Sequence, residues 1–431
     1  MVIHTVQRGD TVWKLAQWYG TSPQRIISDN AVGNPRNLVV GQSLLILTPE
    51  TVYTVQRGDT LESVAKRFGV PLITLLQYNP DLIGAPYLRA GQTVTIRFQG
   101  EKIREVVLNG YAYPYIRRDV LQRCLPCLTT LTIFGYGLSA AGDLVPPSDE
   151  QWMINMAYQY RAAPVMLLSS ITEDGTFSTD RASRLFRNTA YQNRILDQVM
   201  AVMKERGYLG IDIDFEYIAP EDREYFLSFL TNVTNRMHAE GYFVNTDLAP
   251  KTSGGQRGLL YESHDYPSVG AISDTVLLMT YEWGYTYGPP MAVAPLNQVR
   301  MVVEYGVSVI PPEKILMGLP NYAYDWTLPY ERGISRATTI GNQYAVEMAA
   351  RYGSEIKFDE TSQSPYFEYW EPRRGNKHIV WFEDVRSIQA KFQLMDEFML
   401  LGGGYWNLMR PFAQNWSFVA AAYDIRKIVA E

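Results

Sequence analysis

From residue 105 onwards, short apolar runs alternate with longer runs whose apolar residues recur at helical spacing. The intervening runs predict helices at residues 149–160, 180–205, 220–240, 296–305 and 385–400. The apolar runs predict eight strands, at residues 105–108, 130–136, 165–169, 209–216, 243–248, 275–279, 315–319 and 403–406. Eight strands that alternate with helices over about 330 residues predict an α/β fold, a (β/α)8 barrel of the TIM type.

The gap between the seventh and eighth predicted strands is too long for one loop and one helix. Residues from about 330 to 382 therefore predict a small α+β lobe inserted into the barrel. Residues 357–358 and 378–382 are the strand candidates within it. The barrel domain as a whole is assigned to residues 104–431.

An internal repeat fills the first hundred residues. The segment His4-Thr-Val-Gln-Arg-Gly-Asp-Thr11 recurs as Tyr53-Thr-Val-Gln-Arg-Gly-Asp-Thr60, at an offset of 49. Each copy predicts a strand, two helices and a closing strand, and Asp10 or Asp59 is expected to cap the first helix. The predicted elements are residues 5–6, 12–19, 23–28 and 44–47 in the first copy, and 54–55, 61–68, 71–77 and 93–96 in the second.

These two units, assigned to residues 1–49 and 50–98, resemble LysM modules. The resemblance covers residues 3–97 and includes both ends of each unit. LysM modules bind polymers that contain N-acetylglucosamine, such as peptidoglycan and chitin. The resemblance therefore implies targeting to such a glycan, and the alternative is a purely structural role for the repeats.

Composition narrows the class of protein. A chain of 431 residues predicts two or three domains. The net charge of −6, from 39 basic and 45 acidic residues, argues against a nucleic-acid-binding surface. Thirty Tyr and nine Trp are many for this length. Some could stack on the apolar faces of sugars, although core packing accounts for most of them.

Targeting and metal-binding signals are not found in the sequence. No apolar run reaches the length of a membrane span, and the first ten residues lack the pattern of a secretory signal peptide, so we expect folding in a cytoplasm. Cys124 and Cys127 are expected to be ordinary thiols, with a redox or disulfide role as the alternative. The four histidines show no metal-binding spacing, and no metal or cofactor is expected.

Three acids at a spacing of two are the clearest chemical signal. Asp212, Asp214 and Glu216 lie in the segment Leu209-Gly-Ile-Asp-Ile-Asp-Phe-Glu216 and must share one face of a strand. Such crowding raises at least one pKa, and a carboxylic acid that stays protonated near neutral pH can cleave a glycosidic bond as a general acid. The alternatives are a metal site and a structural acid cluster.

Within a barrel of this size, these acids resemble the Asp-x-Asp-x-Glu signature of glycoside hydrolase family 18. Further matching pieces are Met279-Thr-Tyr281-Glu282, Gly318-Leu-Pro-Asn-Tyr322 and Trp406, so the resemblance covers most of residues 105–425. It implies that Glu216 is the acid and later the base, and that the 2-acetamido group of the substrate is the nucleophile, with retained configuration. Asp214 would bind the acetamido N–H, Asp212 would share a proton with Asp214, and Tyr281 would donate to the acetamido oxygen.

Other residues are candidates for substrate binding. Trp406 is the expected floor beneath the distorted sugar. Asn245 and Asp247 share a face of the fifth strand and are polar candidates at the barrel mouth. Glu282 stands where the family commonly has Asp. Further side chains predicted just past strand ends could line subsites or merely pack: Tyr111, Tyr136, Trp283, Tyr322 and Trp326.

The combination of two LysM units with such a barrel resembles the spore cortex-lytic N-acetylglucosaminidases of endospore-forming bacteria. The resemblance implies a retaining β-N-acetylglucosaminidase that acts on cortex peptidoglycan or its fragments during germination. It also implies a location in the spore, reached from the mother cell without a signal peptide. We expect a monomer with a glycan partner and with neither a nucleic acid nor a membrane. The alternatives are a chitinase and a non-catalytic wall-binding lectin.

Overall fold

The computed structural model describes residues 1–430 and contains a closed barrel of eight parallel strands, which confirms the predicted fold class. The first strand pairs with both the second and the eighth, and this pairing closes the barrel. We number the barrel strands 1 to 8 in chain order. They are Glu105–Ala112, Thr130–Leu138, Ala163–Ser169, Gly210–Asp214, Phe243–Leu248, Thr275–Leu278, Ile315–Pro320 and Gly402–Trp406.

Helices surround this sheet and bury their apolar faces against it. The run predicted as one helix over residues 180–205 forms two, because the Asn188 side chain accepts a hydrogen bond from the Tyr191 N–H and starts a new helix. The helices at 118–124, 266–272 and 413–422 were not predicted. The full set is Arg118–Cys124, Gln151–Gln159, Thr179–Phe186, Thr189–Arg206, Arg223–Ala239, Tyr266–Ile272, Leu296–Val309, Val385–Glu397 and Ala413–Ala422.

The inserted lobe between strands 7 and 8 is a five-stranded antiparallel sheet with one helix, Asn342–Tyr352. It begins at Ala323 rather than near residue 330, because the chain leaves strand 7 and turns almost at once into the central strand pair of the lobe. Its own apolar core is separate from that of the barrel. The lobe strands are Ala323–Leu328, Thr338–Ile340, Lys357–Asp359, Ser364–Glu371 and Asn376–Trp381.

The two N-terminal repeats each form the predicted unit of strand, two helices and strand. Thr11 and Thr60 cap the first helices, so the prediction that Asp10 and Asp59 do so is wrong. Each Asp instead accepts a backbone N–H within the preceding turn. The elements are Val2–Thr5, Val12–Tyr19, Pro23–Asn30 and Ser43–Ile46, then Pro49–Thr54, Leu61–Phe68, Leu72–Tyr78 and Thr93–Phe98.

The first repeat is docked against both the barrel and the lobe. Gln414, on the last barrel helix, donates to the Asn30 side chain at 2.8 Å and to the Ser43 carbonyl at 2.9 Å. The Ile356 N–H of the lobe donates to the Val40 carbonyl at 3.0 Å. These contacts between polar groups with little exposure fix the orientation of the repeat relative to the barrel.

Two negative observations apply to residues 1–430. No helix there has the length and apolar character needed to cross a membrane. No group of three His, Cys, Asp or Glu side chains there is arranged to hold a metal ion. Cys124 and Cys127 are free and buried, and burial raises the pKa of both thiols, so neither has the character of a reactive thiolate.

Candidate active site

Strand 4 carries Asp212 and Asp214 into the interior of the barrel. Their side chains are nearly inaccessible to solvent, while Ile211 and Ile213 on the opposite face pack against the surrounding helices. The strand ends at Asp214, so the prediction that it continues to Glu216 is wrong. Glu216 follows in a segment that has no pairing with the neighbouring strands, and its backbone is held by another contact.

Asp212 lies at the bottom of the site and accepts hydrogen bonds from three strands. Asn245, directly opposite it on strand 5, donates to one carboxyl oxygen at 2.8 Å. Tyr111 on strand 1 donates to the other at 2.9 Å, and Thr132 lies 3.5 Å from the same oxygen. Burial raises the pKa of Asp212 to about 6, although these hydrogen bonds act to lower it.

Asp247 is a fourth buried acid at the bottom of the barrel. Its Oδ1 lies 2.7 Å from the Tyr111 hydroxyl and 3.1 Å from the Asn245 amide, the same two groups that contact Asp212. Burial raises its pKa well above the usual value, and the nearby Asp212 and Asp214 raise it further.

Asp214 occupies the middle position and has an unsatisfied oxygen. Its Oδ1 is buried and has no hydrogen-bond partner among residues 1–430. Burial raises its pKa well above the usual value, and the negative charges of Glu216 and Asp212 raise it further. A buried carboxyl oxygen without a partner can accept a hydrogen bond from a bound ligand.

Glu216 stands nearest the open end of the barrel. Burial raises its pKa to about 7, and repulsion from Glu282 contributes to the shift. Its backbone carbonyl accepts a hydrogen bond from His264 at 3.1 Å. A carboxylic acid with such a pKa keeps a substantial protonated fraction near neutral pH and can act as a general acid.

Tyr281 follows strand 6 and faces the acids. Burial raises the pKa of its hydroxyl, and the nearby carboxyls of Asp247, Asp214 and Glu216 raise it further, so the hydroxyl stays a hydrogen-bond donor. Gly318 on strand 7 makes room for the ring, because a β-carbon there would lie 2.7 Å from the Tyr281 ring and 2.6 Å from a backbone carbonyl.

Glu282 is held by two tyrosines, Tyr322 just after strand 7 and Tyr324 in the first strand of the lobe. Tyr322 and Tyr324 both donate hydroxyl hydrogen bonds to its carboxylate, the second at 3.1 Å. Its backbone adopts φ of 68°, in the left-handed region that costs a non-glycine residue about 1 kcal/mol or more. The surrounding contacts therefore hold this acid in a defined place beside Glu216.

Trp406 ends strand 8 and remains partly accessible. Its ring packs against Tyr111, Tyr113 and Phe134, with centroid distances of 5.8, 6.0 and 5.5 Å. Tyr113 stacks in turn on Tyr115, which is 75% exposed. An aromatic surface thus runs from the acids to the solvent and could support the apolar face of a sugar.

Several predicted subsite residues lie elsewhere or have another role. Tyr136 is fully buried and bonds Glu150, and Trp326 is 1% exposed and donates to the Gly288 carbonyl. Neither ring can stack on a sugar in this structure, and the same holds for Tyr111, which bonds the acids. Tyr322 and Asn245 are buried, and they donate hydrogen bonds to the carboxyl groups of Glu282 and Asp212 respectively. Trp283 is partly buried, and its subsite role stays a prediction.

The site includes residues that were not predicted, among them His264, Tyr113 and Tyr324. A spacing of two along Tyr111-Ala-Tyr-Pro-Tyr115 and along Tyr322-Ala-Tyr324 could have indicated the two tyrosines. Nothing in the sequence connects His264 with Glu216, because the two residues are 48 positions apart.

The site thus brings together a protonatable acid at the open end, a buried acid with a free acceptor oxygen and a phenol that stays protonated. This arrangement suits acid-catalysed cleavage of a glycosidic bond next to an amide-bearing substituent. The chain belongs to glycosyl hydrolases family 18, whose family model matches residues 154–410, and it is a hydrolase. The LysM domain model matches residues 4–47 and 53–97.

Among its relatives, the chain is 38% identical to the cortical fragment-lytic enzyme of Bacillus anthracis over 99% of both chains. It is 36% identical to the cortical fragment-lytic enzyme of Bacillus subtilis (strain 168), again over 99% of both. The crystal structure of the Bacillus cereus spore cortex-lytic enzyme SleL superposes with a TM-score of 0.84 at 38% identity, covering 99% of this chain and 98% of that one.

Proposed function

We propose that this protein is a retaining β-N-acetylglucosaminidase that hydrolyses spore cortex peptidoglycan or its fragments. The observation that carries the proposal is the pairing of Glu216, with a pKa of about 7, and Asp214, with an unpartnered buried oxygen. Similarity over the whole chain to cortical fragment-lytic enzymes supports the choice of substrate. The proposed units are two LysM modules at 1–49 and 50–98 and a catalytic barrel at 104–431.

In the first step, Glu216 donates its proton to the glycosidic oxygen as the bond from that oxygen to the anomeric carbon breaks. The carbonyl oxygen of the substrate's 2-acetamido group attacks the anomeric carbon and forms an oxazolinium ion. In the second step, the Glu216 carboxylate takes a proton from water, whose oxygen opens the ring. Two displacements at one carbon retain its configuration.

Asp214 and Tyr281 orient the acetamido group in this scheme. The unpartnered Asp214 oxygen accepts the acetamido N–H, and the Tyr281 hydroxyl donates to the carbonyl oxygen, so the oxygen is aimed at the anomeric carbon. Asp212 lies beneath and contributes negative charge as the positive oxazolinium ion develops. Trp406 forms the floor of the subsite.

The experiment is digestion of purified cortex fragments, followed by mass spectrometry of the products. The expected products end in a reducing N-acetylglucosamine, and Glu216→Gln is expected to bind fragments but release nothing. Residual hydrolysis above about 1% in this variant would remove Glu216 from the role of acid. Binding of glycan by the unmodified protein without any new reducing ends would favour the lectin.

Chitooligosaccharides distinguish the proposed enzyme from a chitinase. A chitinase would cleave them with a kcat/KM at least equal to that for cortex fragments, whereas the proposed enzyme prefers the fragments. The two LysM modules would hold the enzyme on the glycan and raise its local concentration there. By the same proposal, the protein acts in the spore as a monomer during germination.

A further inference from the structure

The fourth acid at the bottom of the barrel has no place in the scheme above. Asp247 is 4% exposed and shares two hydrogen-bond donors with Asp212. The Tyr111 hydroxyl lies 2.9 Å from Asp212 and 2.7 Å from Asp247. The Asn245 amide lies 2.8 Å from the first and 3.1 Å from the second. The two carboxyl groups are therefore neighbours within one polar cluster.

The groups around this pair cannot neutralise two negative charges. Tyr111 and Thr132 face it from strands 1 and 2, Asn245 from strand 5, Asp214 from strand 4 and Tyr281 from the segment after strand 6. None of these side chains is a cation, and Asp214 adds a further acid. Two buried carboxylates at such close range cannot both ionise, so the pair must retain one proton.

The hydrogen bonds decide which acid keeps that proton. Asp212 has a possible donor at each carboxyl oxygen, Asn245 at one and Tyr111 with Thr132 at the other. Asp247 contacts Tyr111 and Asn245 through a single oxygen, which leaves its second oxygen to carry a hydrogen. The Tyr111 hydroxyl has one hydrogen and can donate to only one of the two acids. The carboxyl group that has donors at both oxygens is the more stable anion. The pKa values agree in direction, since that of Asp247 is raised well above the usual value and that of Asp212 only to about 6.

We propose that Asp247 is a positioning residue that stays protonated throughout the reaction and so confines the negative charge at the bottom of the barrel to Asp212. The inference rests on the proposed function for its effect on catalysis. A single anion at Asp212 can accept a hydrogen bond from protonated Asp214 and stabilise the positive charge that develops on the sugar. Asp247 touches neither the substrate nor the reacting atoms in this scheme.

The test uses Asp247→Asn, which has the shape and hydrogen-bonding character of a protonated acid but cannot ionise. We expect its kcat, KM and pH profile on cortex fragments to stay within about threefold of the unmodified enzyme. Asp247→Ala removes the donor and is expected to lower kcat by about tenfold or more while KM changes little. Asp212→Asn is the matched control, and it should lose at least about a hundredfold in kcat because it removes the needed anion.

A loss of about a hundredfold or more in Asp247→Asn would overturn the proposal, since the charge of Asp247 would then be required. A second measurement needs no activity. Infrared spectra of Asp214→Asn labelled with carbon-13 aspartate should show a protonated aspartate band at neutral pH that is lost when Asp247→Asn is added. Spectra that are the same with and without Asp247→Asn would also overturn the proposal. Failure of the unmodified enzyme to cleave cortex fragments would instead refute the proposed function and leave the infrared result intact.

Discussion

The imidazole of His264 donates from Nε2 to the backbone carbonyl of Glu216 at 3.1 Å. Its Nδ1 accepts the Ala249 N–H at 3.0 Å, which fixes the tautomer that carries hydrogen on Nε2. Burial lowers the pKa of His264 to about 4, so the ring is neutral at working pH. Because strand 4 ends two residues earlier, this contact replaces the missing strand pairing at Glu216.

His264→Leu should therefore displace Glu216, the proposed catalytic acid, without altering the aromatic surface around Trp406. We expect kcat to fall by about tenfold to a hundredfold and KM to stay within about threefold. His264→Gln can still donate towards the Glu216 carbonyl and should recover part of the loss. Steady-state kinetics test this at a temperature where both variants are fully folded. Equal losses of kcat in the two variants would show that the hydrogen bond to the Glu216 carbonyl does not matter.

In the proposed mechanism, the pKa of Glu216 sets the alkaline limit of activity. That mechanism requires the protonated form of Glu216, so we expect kcat/KM to fall as pH rises through about 7. Glu282 contributes to the raised pKa by repulsion, and Glu282→Gln removes that charge while keeping an acceptor for Tyr322 and Tyr324. We expect the alkaline limb in this variant to move to lower pH. A limb that stays in place or moves upwards would show that Glu282 does not influence Glu216.

The same raised pKa makes Glu216 destabilising at alkaline pH. The folded state holds the proton more tightly than the unfolded chain, so the free energy of unfolding falls as pH rises from the ordinary value of 4.5 to about 7. Glu216→Gln cannot ionise and should be more stable than the unmodified protein by about 1–3 kcal/mol near pH 8, with a smaller difference near pH 4. Denaturant titrations of both proteins at pH 4 and pH 8 measure this. The same difference in unfolding free energy at the two pH values would contradict the prediction.

The sequence could predict the acids of strand 4 but not the cluster beneath them. A spacing of two places Asp212 and Asp214 on one face whatever the rest of the fold does. The contacts of Tyr111 and Asn245 with Asp212 depend on barrel closure and on the register that sets Asn245 opposite Asp212. Strand periodicity carries no information on that register.

Residues near strand ends were harder to predict for a related reason. Tyr111 and Tyr136 were both expected at the barrel mouth, yet the strands extend past the predicted ends and both rings are buried. The lobe was likewise predicted to begin late, because the segment that starts at Ala323 follows strand 7 after only a short turn. Boundaries of this kind depend on tertiary pairing rather than on local pattern.

Gly318 should be required for the position of Tyr281. A β-carbon there would lie 2.6 Å from the Leu278 carbonyl and 2.7 Å from the Tyr281 ring, and backbone cannot move away as a flexible side chain can. We expect Gly318→Ala to lower stability by about 1–3 kcal/mol and kcat more than KM. Thermal unfolding and kinetics check both effects. Gly403→Ala, which would mainly meet the end of the Leu319 side chain, serves as a control for packing on a neighbouring strand.

The two repeats provide a matched pair of glycines for testing whether docking of the first repeat matters. Gly41 and Gly91 have similar positive φ values of 82° and 86°, so alanine strains both backbones about equally. At Gly41 a β-carbon would lie 1.8 Å from the Ile356 carbonyl of the lobe, whereas at Gly91 nothing lies within 4 Å.

We therefore expect Gly41→Ala to lower the melting temperature more than Gly91→Ala and to make the first repeat accessible to limited proteolysis. The extra loss should be about 1–3 kcal/mol, which is typical of overpacking at a rigid contact. Equal effects of the two variants would show that the repeat is not held against the lobe in solution. Activity on short soluble fragments should stay unchanged in Gly91→Ala, because Gly91 is exposed and a β-carbon there would meet no neighbouring atom.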